Sequence, residues 1–100
     1  MRMLMARFQI KEDAIEAFTE ARDKLLLALS QEKPKGIRYL WSALPDRASF
    51  VGLLELEDGV ENPLPSMEAG KEFLNNLLGW VASPPVREEW KVVGIYQPRQ

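Results

Sequence analysis

The stretch Gly36–Gly59, GIRYLWSALPDRASFVGLLELEDG, limits what this chain can fold into more than any other. Two runs rich in branched and aromatic residues, Ile37–Leu44 and Phe50–Leu56, flank a polar break at Pro45–Asp46–Arg47. Pro presets the backbone for the first corner of a turn, so the stretch predicts a β-hairpin. In the first run Ile37, Tyr39, Trp41 and Ala43 share one face, opposite Arg38, Leu40, Ser42 and Leu44. In the second, Phe50, Gly52, Leu54 and Leu56 oppose Val51, Leu53, Glu55 and Glu57. Near the middle both faces are largely apolar. An antiparallel sheet with one wet face alternates more cleanly, so this hairpin needs cover on both sides.

The remaining elements can be placed around it. Met3–Ile10 alternates with period two, Leu4, Ala6, Phe8 and Ile10 forming the more apolar face, and predicts a strand. Lys11 to Glu32 changes to helical spacing, with Ala14, Phe18, Ala21, Leu25 and Ala28 as the stripe and Ile15 and Leu29 widening it. Asp13 is the expected cap, Pro34 disfavours helical geometry at Lys33, and Gly36 supplies the turn into the hairpin. A connection through Asp58–Gly59 and two prolines leads to a second helix, from a Ser66 cap to about Ala82, that buries Gly70, Phe73, Leu74, Leu77 and Val81. Pro84–Pro85 stops it, and Glu88–Gln97 predicts a last strand. Order is expected up to the last few residues, Pro98–Arg99–Gln100.

The order β-α-β-β-α-β is the split-βαβ, ferredoxin-like arrangement, an α+β fold. Its right-handed crossovers place both helices on one face of a four-stranded antiparallel sheet. One hundred residues suit a single domain spanning 1–100. The second sheet face would then leave Met3, Met5 and several hairpin residues in water, a larger apolar patch than soluble monomers tolerate. A homodimer closed sheet against sheet is therefore expected.

Composition excludes much chemistry. The chain has neither Cys nor His, which removes disulfides, thiolate sites, the commonest metal ligand and the usual general base near neutral pH. A net charge of −2 gives no basic excess for nucleic acid or an anionic membrane. The opening MRMLMARFQI is broken by Arg7 and lacks the apolar core of a signal peptide, so cytoplasmic residence is expected. The run Arg47–Gly52 echoes an RNA-binding RNP1 pattern, but it lacks the two glycines, and Leu53 stands where that pattern has an aromatic.

Element order, length, the hairpin, the following Asn62–Pro63–Leu64 and the closing PPV…VVGIY resemble the dimeric α+β-barrel superfamily, and within it small antibiotic-biosynthesis-monooxygenase-like proteins. The resemblance covers nearly the whole chain. It implies a dimer through the sheets, a substrate held between sheet and helices, and cofactor-free oxygenation of a small aromatic substrate. The haem-degrading members use a His on the second helix and an Asn on the first strand; here there is no His, and Phe8 stands at the strand position. The quinone-forming members rely on Asn, Trp, Tyr and Arg, which do not map onto this chain position by position.

The residues themselves offer four ligand-binding candidates. Tyr39 and Trp41 project from one strand face, where they could wall a planar ligand or simply pack in the core. Asn76 and Trp80 share a helical face with Phe73 and Leu77, where Asn76 could orient a phenolic ligand or border the core. Arg7 and Arg38 are expected to pair with Glu55 or Glu57 rather than to bind an anion. Glu88 and Glu89, adjacent in a strand, point to opposite faces and cannot share a proton. No metal and no cofactor are expected. Two readings stay open: a cofactor-independent monooxygenase, and a non-catalytic dimeric ligand-binding or accessory protein.

Overall fold

A computed structural model describes residues 1–98, so the expectation for Arg99 and Gln100 falls outside the described residues. The strands are β1 (Arg2–Gln9), β2 (Ile37–Ala43), β3 (Ser49–Leu56) and β4 (Val86–Lys91), and the helices are α1 (Ile15–Glu32) and α2 (Glu68–Leu77). All strand pairs are antiparallel and the order across the sheet is β2-β3-β1-β4. The ferredoxin-like βαββαβ arrangement is the one the sequence predicts.

The helix-facing row of the sheet holds Leu4 and Phe8 from β1, Tyr39 and Trp41 from β2, and Phe50, Leu54 and Leu56 from β3. These pack with Phe18, Leu25 and Leu29 of α1 and Phe73 and Leu77 of α2. Phe18 is wholly buried and meets Trp41, Phe50 and Phe73, with ring centroids 5.5, 4.7 and 6.1 Å away. Aromatic pairs at such separations add to their area burial. Helix α2 comes close enough that a Cβ on Gly70 would lie 2.1 Å from the Leu64 carbonyl oxygen.

Four boundaries differ from expectation, each for a local reason. The first helix opens with a 3₁₀ turn at Glu12–Ala14, and Asp13 makes no capping hydrogen bond. Its close falls where expected, with Glu32 the last helical residue and Lys33, left-handed (φ 50°), donating its N–H to the Leu29 carbonyl ahead of Pro34. The second helix is shorter than expected. Ser66 hydrogen-bonds the Pro63 carbonyl instead of capping it. Beyond Leu77 the chain turns to meet the end of β1, where Trp80 accepts from the Lys11 N–H and Ala82 donates to the Gln9 carbonyl. Val81 therefore sits in a bridge to Ile10, not on a helix. The last strand ends at Lys91, not at Gln97. Lys91 pairs with Arg2 and the Val92 N–H reaches the Met1 carbonyl, the last backbone hydrogen bond of this chain end toward β1 among the described residues.

Strand β4 carries its polarity inverted relative to the rest of the sheet. Its pairing with Leu4 and Ala6 places Glu89 and Arg87 on the helix side, while Trp90, opposite Met3, lies on the other face. That other face holds the half-buried Met3, Met5, Leu40, Val51 and Leu53 and the exposed Val86 and Trp90. No helix or strand among the described residues lies over it. Across it, Arg38 and Glu55, directly paired in register, form an ion pair at 3.5 Å, the pairing expected for Arg38.

Candidate functional site

Two registered rows run across the helix side of the sheet. One reads Trp41, Gly52, Ala6, Arg87; its neighbour reads Tyr39, Leu54, Leu4, Glu89. In the first row a bulky indole faces two positions with almost no side chain. The indole fills the space over Gly52, where a Cβ would lie 2.9 Å from its ring. Ala6 is too small to fill its own place, and beyond it the long Arg87 and Glu89 are solvent-exposed. Long charged side chains extend toward water rather than close a core. The result is a cavity of about 400 Å³ between the sheet and α2, roofed by Phe73, Leu74 and Leu77. That volume lies in the range of small-molecule sites, about 300–1,000 Å³.

Trp41 is the hub of its wall, with ring centroids 5.8 Å from Phe8, 5.9 Å from Tyr39 and 5.8 Å from Phe73. Its indole Nε1 is buried and has no hydrogen-bond partner among the described residues. Burial pushes the Tyr39 hydroxyl well above its ordinary pKa. The nearby Trp41 indole favours the phenolate, the lesser effect, without reaching hydrogen-bond geometry. Tyr39 is thus a neutral phenol, able to donate. Asn62 lines the same space, and its Oδ1 accepts from the Leu64 N–H at 3.0 Å, which leaves its NH₂ group free to donate. At the mouth Glu89 is engaged by Arg2, with Arg2 Nη1 donating to Oε1 at 3.0 Å and Nη2 to the Val60 carbonyl at 3.3 Å. The cavity thus offers several donors, and its nearest carboxylate is already occupied.

Of the four sequence candidates, Tyr39 and Trp41 stand side by side in this wall. Asn76 is exposed and borders a shallow groove between α1 and α2 with Ala21 and Lys24. Trp80 is half-buried beside the end of β1 and does not line the cavity. Sequence reasoning passed over Gly52, Asn62 and Arg87 as cavity residues. The usable signal was the last strand, where Arg87, Glu89 and Lys91 fall on one side of VREEWK.

Among the described residues no helix is long and apolar enough to cross a membrane. No protein-family model matches the sequence, and no curated protein matches it. The fold, in contrast, is shared with solved structures. A crystal structure of an antibiotic biosynthesis monooxygenase superposes with a TM-score of 0.80 at 16% identity, covering 94% of this chain and 100% of that one. A candidate antibiotic biosynthesis monooxygenase from Nitrosomonas europaea gives 0.77 at 17% identity, covering 92% and 89%. A conserved protein from Methanosarcina mazei Go1 gives 0.77 at 15% identity, covering 90% of each. The class is therefore a ferredoxin-like α+β fold of the antibiotic-biosynthesis-monooxygenase type. At these identities the likeness is one of fold.

Proposed function

We propose that the cavity binds a small planar aromatic molecule bearing an acceptor oxygen, and that the protein oxygenates it without a cofactor. The observation that carries the reading is the orphaned Trp41 Nε1–H. A buried donor left unpaired costs about 1–3 kcal/mol, a cost that a ligand oxygen removes. Tyr39, Asn62 and Trp41 line one apolar space and each carries a donor, a set that suits a phenol or quinone once the indole shifts to meet its oxygen. In the proposed reaction the substrate supplies both the phenolate or carbanion and the electrons for dioxygen. The protein contributes orientation and hydrogen bonds.

The test is conversion of a 1-naphthol to its quinone by dioxygen, in which one oxygen atom enters the ring and the other leaves as water, followed by quinone absorbance and uptake of labelled oxygen, together with ligand affinity. Trp41→Phe keeps a ring and deletes the donor, so binding should weaken about tenfold, the equivalent of one net hydrogen bond. Asn76→Ala, outside the cavity, is the control. Wild-type affinity in Trp41→Phe sinks the reading. A second reading, a non-catalytic ligand binder, is favoured by how the titratable cavity residues are engaged: Tyr39 is held protonated, Glu89 is tied to Arg2, and Glu88 accepts from the Trp90 Nε1–H. Ligand affinity without turnover in the same assay selects it.

We further propose a homodimer closed over the open sheet face. Support comes from Met3, Met5, Leu40, Leu53 and the outward Trp90 on that face. The irregular residues after Lys91 add exposed Val93, Ile95 and Tyr96, and a space of about 560 Å³ separates Ile95–Pro98 from Ile37, Arg38 and Glu55. An 11.4 kDa species by light scattering at micromolar concentration refutes it.

A further inference from the structure

The inverted polarity of β4 bears on which ligands the cavity selects. Arg87 closes the row Trp41–Gly52–Ala6–Arg87, two strand spacings from Gly52 and so about 10 Å across the sheet. No carboxylate among the described residues lies within ion-pair distance of it. The two nearest in sequence are both committed. Glu89 is held by Arg2 at 3.0 Å, and Glu88, on the opposite sheet face, accepts from the Trp90 Nε1–H at 2.8 Å. The mouth of an apolar cavity thus carries one uncompensated guanidinium at the end opposite the indole.

We propose that Arg87 is the specificity determinant of the cavity, selecting aromatic monoanions whose carboxylate lies at the mouth while the ring lies over Ala6 against Trp41. Arg is suited to this because its planar donors match a carboxylate two bonds at a time. The Arg2–Glu89 pair is the positioning element, since it keeps Glu89 from competing with the ligand for Arg87. This inference rests on the cavity being a ligand site, and it adds the charge class of the ligand.

Isosteric probes separate the two claims. The affinities of 2-naphthoate, 2-naphthamide and 2-naphthylmethylamine are measured by calorimetry with wild type, Arg87→Gln and Arg2→Ala, each checked for folding by circular dichroism. Naphthoate should bind wild type about threefold to tenfold more tightly than the amide, the scale of one charge pair at a partly exposed site. Arg87→Gln should abolish that preference and leave amide binding unchanged. Arg2→Ala, which leaves Arg87 intact and frees Glu89 to approach it, should reduce the preference and improve binding of the amine. Equal affinity of naphthoate and amide in wild type, or a preference that survives Arg87→Gln, overturns the inference and leaves the cavity reading standing. If none of the three probes binds, the cavity reading falls and this inference with it.

Discussion

The two faces of one sheet have opposite fates. The helix side is closed around Phe18 and Trp41, and the space over Ala6 opens between the sheet and α2. The other side is apolar in its middle and bare of helices and strands among the described residues. Both faces come from the same alternation in the same four strands, so side-chain chemistry alone does not separate them. What separates them is where the two helical crossovers lie. Strand β4 sharpens the contrast, because its charged row is turned inward and its Trp90 outward.

The largest expected effect breaks the closed face. Phe18→Ala removes the ring on which Trp41, Phe50 and Phe73 converge and should cost about 3–5 kcal/mol of unfolding free energy in denaturant titration. A loss below about 1 kcal/mol would mean that the aromatic cluster is not the keystone of the fold. Gly70→Ala drives a methyl into the Leu64 carbonyl and should cost about 1–3 kcal/mol, with α2 displaced and the cavity roof altered.

On the other face the expectation inverts. Leu53→Glu should change monomer stability by no more than about 0.5 kcal/mol, as surface substitutions do, yet it should dissociate any sheet-to-sheet dimer in light scattering. A large loss of monomer stability would show that the face is already covered within one chain. Tyr39 provides the finest probe of the closed face. Its folded pKa is raised above the unfolded value, so only the unfolded chain releases that proton as pH rises past about 10. Stability should therefore fall above that pH. In a Tyr96→Phe background, absorbance at 295 nm should stay flat through the ordinary tyrosine range until unfolding.

The smallest effect belongs to Arg38→Ala. Its ion pair with Glu55 is exposed on the arginine side and should contribute about 0–1 kcal/mol, less at high salt.

The architecture was legible because its signals are local and periodic. Alternation marked β1 and the hairpin, and a long stripe marked α1. The boundaries that moved were set by partners distant in sequence. The last strand stops where its pairing with β1 ends at Arg2, and the second helix stops because Trp80 and Ala82 are captured by the end of β1. The site was half legible. Tyr39 and Trp41 announce themselves as a pair of aromatics two apart on a strand. Arg87 joins them only through register across three strand pairs, and Gly52 matters for what it lacks. Asn76 shares a helical face with Phe73 in projection, but it falls at the margin of the buried stripe of Gly70, Phe73 and Leu77 and is exposed.

The free space over Ala6, beside the Trp41 ring, has a consequence for how the proposed site could be reshaped. A methyl at position 52 would push the indole toward Ala6 and shorten the free trough, whereas removing the methyl at position 6 would lengthen it. Neither change touches a polar group. In the proposed ligand site, ligand length and ligand charge are therefore set at separate positions, so that the size accepted can change without altering the end that Arg87 holds.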